Sequence, residues 1–321
     1  MIENHIIIML MKNICDYRIV YMGTPEMSAQ ILERMIKEGF NIVAVIAQED
    51  KPVGRKGLLE PVPTKHIAMQ YNIPVYQPHR IRKEYEFVRD LQPDLLLTMA
   101  YGQIVPHELL VMPKFGALNL HGSILPSYRG AAPIQRAIMN GEKESGVTLM
   151  EMVDEMDAGK MFATSKFAIN DDENYTHICE KIVDASIDLV LNALPKYFKG
   201  ELCGEEQDSD AVTFADKILP ENEKLNLDFK CYTFIRYVNA LSYEPGAYLL
   251  LNDQKFKILK AHQVSNEIKE EIGTLTVEKR VFLQLSDGVI ELDEVQLQGK
   301  KKMDGKSFAN GNKIFNNLKL K

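Results

Sequence analysis

The sequence predicts a mostly parallel α/β sheet followed by a small antiparallel β-barrel, and three observations carry that expectation. In the earlier part of the chain, short apolar runs of strand length alternate with stretches of helical periodicity, as in a sheet whose parallel strands are joined by helices. Beyond about residue 245, short β-branched and apolar runs follow one another across tight turns instead. The charge also changes sign: 22 basic and 32 acidic residues precede position 222, whereas 16 and 13 follow from it. A length of 321 residues is that of two domains. Hydrophobic residues at 45% and charged residues at 26% exclude a disordered or collagen-like chain. The net charge of −7 argues against a general nucleic-acid binder, so a polyanionic partner would need a local basic surface.

Arg18 to Met22 is a short apolar run that ends at Gly23-Thr24-Pro25 and leads into a helical stretch from Glu26 to about Glu38. Pro25 sits where a first helical turn needs no donor, and Gly39 closes the other end. Ile42 to Ala47 reads as the second strand, Thr64 to Tyr71 as a helix, and Ile73 to Tyr76, Asp94 to Ala100 and Ala117 to His121 as further strands. This pattern is Rossmann-like, but one glycine after the first strand replaces the three of GxGxxG, which disfavours NAD and FAD. No GxxxxGK[ST] loop is present, which disfavours an ATPase. Strands are expected at Gly146 to Met152 and Met161 to Ile169, and a long helix from about Tyr175 to Phe198.

Residues 206–221, rich in Asp and Glu, are the expected linker between a domain at 17–205 and another at 222–321. The second opens on a helix, Tyr232 to Leu241, followed by strands at Ala247 to Leu251, Lys255 to Leu259, Ile272 to Val277, Val281 to Leu285 and Val289 to Leu292. Five short strands fit an OB-like barrel. Its aromatic residues (Tyr232, Phe234, Tyr237, Tyr243, Tyr248) are expected in the core.

Cys15, Cys179, Cys203 and Cys231 form no CxxC pair and the seven histidines no HExxH or HxxxH pair, so no metal is expected and a reducing cytoplasm fits best. The run Ile6 to Met11 is far below the roughly 18 residues that span a bilayer, and no basic residue precedes it as in a signal peptide. Residues 1–16 are expected to be a disordered extension, or to precede the true start. No membrane partner is expected. With no coiled-coil heptad or exposed apolar helix face in the pattern, the chain is expected to be a monomer.

The chemistry concentrates in Asn119-Leu120-His121-Gly122-Ser123-Ile124-Leu125-Pro126. Residues two apart on a strand face the same side, so a carboxamide and an imidazole are presented together at the C-terminal edge of the sheet, where open α/β sheets bind ligands. An amide donor can stabilise an oxyanion, and an imidazole can accept or deliver the proton that moves. Asp157, before the Ala158-Gly159 turn, is the best-placed carboxylate to orient the imidazole, with Asp154 and Glu155 as rivals. On residue types alone, a strand-end cap explains the Asn-x-His pair more often than catalysis does. A Ser-His-Asp hydrolase built on Ser123 ranks lower still, for want of the G-x-S-x-G elbow.

The chain resembles the methionyl-tRNA formyltransferases from about Arg18 to near its C-terminus. The resemblance lies in Met22-Gly23-Thr24-Pro25-Glu26, Ala100-Tyr101-Gly102-Gln103-Ile104-Val105-Pro106, Asn119 to Pro126, and Arg129-Gly130-Ala131-Ala132-Pro133-Ile134-Gln135. It implies the formyltransferase fold with an OB-like second domain, 10-formyltetrahydrofolate as donor, and the amine of methionyl-initiator-tRNA as acceptor, for translation initiation. By motif position it implies Asn119, His121 and Asp157 as the catalytic trio of a direct acyl transfer without metal, with Ser123, Ile124, Leu125 and Pro126 against the folate. A 10-formyltetrahydrofolate hydrolase or another folate-dependent N-formyltransferase would share that trio, and a non-catalytic RNA-binding OB protein is the competitor of a different class. In the family the loop at Asp50 to Leu59 meets the acceptor end of the tRNA, which makes Arg55 and Lys56 expected contacts. Composition alone describes a solvated loop there. Lys300, Lys301 and Lys302, at the end of the barrel, are the second expected tRNA-binding group.

Overall fold

The computed structural model describes residues 14–53 and 58–321. Most of the expected N-terminal extension, and both Arg55 and Lys56, lie outside the described residues. In chain order the strands are β1 (Ile19–Gly23), β2 (Ile42–Ile46), β3 (Lys51–Val53), β4 (Leu58–Glu60), β5 (Val75–Tyr76), β6 (Leu95–Met99), β7 (Ala117–His121), β8 (Glu144–Glu151) and β9 (Met161–Ala168). Then follow β10 (Tyr248–Leu251), β11 (Gln254–Ser265), β12 (Thr274–Val277), β13 (Val281–Leu285), β14 (Gly288–Leu297), β15 (Met303–Asp304) and β16 (Leu318–Lys319). Two compact units divide the chain. One holds the described residues up to Arg129 with Gly146–Phe167 and Glu180–Phe214, and the other holds Gly130–Ser145, Ala168–Cys179 and Ala215–Lys321.

The first unit is built on a seven-stranded sheet in the order β5-β2-β1-β6-β7-β8-β9. Strands β5, β2, β1, β6 and β7 run parallel, and β8 is antiparallel to β7. The central strands are buried on both faces, which is why they read as continuous apolar runs without alternation. The register sets Met22, Thr98, Asn119 and Met150 side by side, and His121 beside Thr148. On that same face Val20, Ala44, Ile46, Leu96 and Ala117 pack with Ile81, Val88, Tyr101, Val105 and Leu109. Asn119 and His121 therefore stand where an apolar row ends, at the C-terminal edge of the sheet. The expected loop after the second strand is instead partly a hairpin, with β3 pairing antiparallel to β4.

In the second unit a six-stranded path, β10-β11-β14-β13-β12-β16, forms a nearly closed antiparallel barrel, with β15 beside β14. The ends meet through the last residues: β16 pairs with β12, and Lys321 exchanges two backbone hydrogen bonds with Leu250 of β10, at 2.8 and 3.1 Å. Two barrel strands are longer than their apolar runs, because β11 and β14 continue through Lys260, His262 and Gln263 and through Asp293 and Glu294 with polar side chains outward. The aromatic expectation needs correcting. Phe234 is fully buried, but Tyr232 and Tyr243 are exposed and lie under the cations of Arg236 and Lys302. A phenol is satisfied at a surface where its ring covers apolar area and its hydroxyl finds polar partners, as Tyr232 does by donating to Asp171 at 2.9 Å and accepting from Lys143 at 3.1 Å.

Candidate active site

His121 is the last residue of β7 and only 5% exposed. Its Nε2 lies 2.9 Å from the carbonyl oxygen of Tyr128, so that nitrogen carries a proton and donates it. Its Nδ1 faces Oδ2 of Asp157 at 3.6 Å, longer than a hydrogen bond but within ion-pair range. Asp154 and Glu155 are engaged elsewhere, with His107 and Arg129 respectively, so among the three candidates it is Asp157 that meets the imidazole. Asn119 is half-buried, and its carboxamide has no hydrogen-bond partner among the described residues. Beside it on β6, the hydroxyl of Thr98 is buried and equally unpartnered. A buried hydroxyl without a partner beside a carboxamide that stays partly open to solvent leaves both free to meet something polar.

The loop after β7 is pinned from below. The fully buried Thr148 of β8 donates its hydroxyl to the Ser123 carbonyl at 2.8 Å and accepts the Leu125 N–H at 3.1 Å. Ser123 turns its own hydroxyl to the Ser127 carbonyl, 2.7 Å away. Of the four residues expected against the folate, Ser123 and Leu125 are buried within this loop, while Ile124 and Pro126 are half-buried. Tyr128 and Asp157, which flank the imidazole, both adopt left-handed backbone conformations (φ 64° and 53°), unusual for residues with a side chain. The turn carrying Asp157 returns to β8 at Gly159, where a Cβ would come within 2.1 Å of the Glu151 carbonyl oxygen, so glycine alone fits.

Arg129 is 7% exposed, and its guanidinium reaches Gln207 Oε1 (3.0 Å) and Glu155 Oε1 (3.3 Å). Arg129 belongs to the Arg129–Gln135 motif, to which the sequence assigns no separate role, and Gln207 stands in no motif. A buried arginine requires partners, but its burial is visible only in the fold, so the sequence held no signal for Gln207. A surface groove of about 330 Å³ lined by Glu26, Gln30, Glu33 and His66 contains none of these residues. Among the described residues no three His, Cys, Asp or Glu side chains come together as a metal site requires.

Lys300, Lys301 and Lys302 are exposed on the turn after β14. Lys302 is partly spoken for: its Nζ lies 3.3 Å from Glu294 and 4.4 Å from the centre of the Tyr243 ring.

The class is defined by the whole chain. The sequence matches the formyl transferase family over residues 17–194 and the formyl transferase C-terminal domain family over residues 217–313. Methionyl-tRNA formyltransferase of Lactobacillus johnsonii is 39% identical over 297 residues, covering 91% of this chain and 95% of that protein. The Halalkalibacterium halodurans protein of that name is 40% identical over 299 residues, covering 92% and 94%. Among solved structures, HypX from Aquifex aeolicus in complex with tetrahydrofolic acid superposes with a TM-score of 0.66 at 18% identity, over 92% of this chain. The chain spans 47% of the length of HypX. Methionyl-tRNA formyltransferase from Clostridium thermocellum gives a TM-score of 0.57 at 15% identity, covering 90% of this chain and 100% of that one. These two likenesses concern the fold. The chain belongs to the methionyl-tRNA formyltransferase family.

Proposed function

We propose that this enzyme transfers the formyl group of 10-formyltetrahydrofolate to the α-amine of methionyl-initiator-tRNA, through Asn119, His121 and Asp157. The identity of 39% to a methionyl-tRNA formyltransferase across nearly the whole of both chains carries the reading. The meeting of Asn119, His121 and Asp157 at one edge of the sheet supports it, and the free carboxamide of Asn119 fits a formyl donor that brings an oxygen in need of a hydrogen bond. The donor supplies a formyl carbon attached to a nitrogen that can leave.

Asn119 donates its N–H groups to the formyl oxygen, more strongly as negative charge builds there. His121 lies between two acceptors, Tyr128 O and Asp157, so its doubly protonated form is matched on both sides. Nδ1, 3.6 Å from Asp157 and without a short hydrogen bond to it, is the ring edge able to turn to the reacting groups: as the amine nitrogen bonds to the formyl carbon, the unprotonated Nδ1 takes the amine proton and passes it to the folate nitrogen as that nitrogen's bond to the carbon breaks. Asp157 keeps that edge oriented. Ser123, Ile124, Leu125 and Pro126 form the wall for the folate. Arg55, Lys56, Lys300, Lys301 and Lys302 are the proposed tRNA contacts.

The enzyme is proposed to work in the cytoplasm as a monomer. Among the described residues no helix is long and apolar enough to cross a membrane.

The test offers 10-formyltetrahydrofolate with methionyl-tRNA, free methionine or water. Formylation of charged tRNA alone is the expected result, and formate release in water would identify a hydrolase instead.

A further inference from the structure

Residues 206–221 have the composition of a linker, but their early part makes the hydrogen bonds of a scaffold. We propose that the segment from Gln207 to Thr213 is a strap that positions the imidazole and carboxylate of the active site, with Gln207 and Thr213 as positioning residues. The proposal rests on the reading of His121 and Asp157 as the reacting pair.

The carboxamide of Gln207 makes three bonds, and they fix its orientation. Its Nε2 donates to the carbonyl oxygens of Asp157 and Gly159, both at 2.8 Å, and its Oε1 accepts from Arg129 Nε at 3.0 Å. The flipped amide would set oxygen against two carbonyls and an NH2 group against a guanidinium, so no second arrangement competes. Gln207 thus holds both ends of the short turn whose first residue, Asp157, sits in a left-handed conformation.

Thr213 does the same for the other side of the imidazole. Its Oγ1 accepts the Tyr128 N–H and its carbonyl accepts the Arg129 N–H, both at 2.9 Å. Tyr128, also left-handed, is the residue whose carbonyl receives the His121 Nε2 proton. Arg129 joins the two halves, with its backbone on Thr213 and its side chain on Gln207. Both acceptors that face His121 are therefore set in place by one stretch of chain lying far from it in sequence. A displacement of either acceptor by about 1 Å would misalign proton transfer without removing a binding group.

The test uses the full-length enzyme with variants Gln207→Ala, Gln207→Met and Thr213→Val. Each is expected to lower kcat about 10- to 100-fold, with KM for donor and for methionyl-tRNA changed less than about twofold and a shifted pH profile of kcat. Thr213→Ser keeps the hydroxyl and should recover most of the loss. In an Asp157→Ala background, Gln207→Ala should cost nothing further, because it acts through Asp157. Full turnover in the folded Gln207→Met and Thr213→Val enzymes would overturn the strap, and so would a loss confined to KM or one that adds to that of Asp157→Ala. The Asp157→Ala variant alone separates the two levels. If it is inactive while Gln207→Met is active, only the strap is lost; if it is active, the site reading is lost and the strap with it.

Discussion

His121 is almost wholly buried and both of its ring nitrogens face acceptors of its own chain, whereas Lys300 and Lys301 project into solvent with no ion pair among the described residues. Proton transfer depends on tenths of an ångström and on which nitrogen carries hydrogen, so the chain surrounds His121 with fixed partners. Attraction of a phosphate backbone depends on charge within a screening length of about 8 to 10 Å, and a cation on a mobile stem serves it well. A site of the first kind should fail abruptly on substitution, and one of the second kind by degrees.

The sharpest way to break this contrast is to remove the partners of the reacting groups. His121→Ala and Asn119→Ala are expected to lower kcat by about 10² to 10⁴ while the melting curve is preserved. Near-wild-type turnover in either would show that the buried edge is only a strand cap. At the basic turn, replacing Lys300 or Lys301 by Ala should weaken tRNA binding modestly and reduce the salt slope by about 1 each, with folate binding unchanged. Lys302→Ala should matter less, because Glu294 already neutralises part of its charge. Equal slopes for all four proteins would take this turn out of the tRNA surface.

A smaller effect lies at the root of the β3–β4 hairpin. Burial pushes the Asp50 carboxyl up, but hydrogen bonds from Lys65 and Gln77, the Lys65 charge and the Val62 N–H together hold it below the ordinary carboxylate range. A depressed folded-state pKa contributes stability above the unfolded value of about 3.9 and loses it as pH falls through the folded one. Asp50→Asn should therefore flatten the acid side of the stability curve below about pH 4, and an unchanged curve would mean that the carboxylate anchors nothing. The least effect is expected from Thr98→Val, which removes a buried, unpartnered hydroxyl and keeps the β-branched shape. It should stabilise the fold by about 1 kcal/mol in chemical unfolding, and destabilisation would reveal a partner such as a bound water.

The elements legible in the sequence were those whose periodicity is undiluted. β7 and β13 begin and end at the residues their apolar runs mark, and the long helix runs from Tyr175 to Phe198 as its pattern indicates. β16 escaped because two residues carry no period, and β3 and β4 escaped because Pro52 and the glycines beside it resemble a loop. At the candidate site, Asn119 and His121 were visible because strand geometry alone aligns residues two apart. Gln207 and Thr213 were not, since their partners Asp157 and Tyr128 lie 50 and 85 residues away and an exposed or half-exposed polar side chain in a polar segment carries no local mark.

The bonds between Lys321 and Leu250 bear on how the barrel comes into being. As the chain emerges from the ribosome, β10 is made early among the barrel strands, and Lys321, which bonds to Leu250 on its outer edge, is made some 70 positions later. Until then the Leu250 N–H and C=O on the edge of β10 and the edge of β12 stand unpaired, although the Leu225 N–H already holds the Tyr248 carbonyl, and such groups recruit strands from other chains. The interval before those last residues arrive is therefore the period in which this domain is most open to mispairing, and a truncation that removed residues 318–321 would make it permanent.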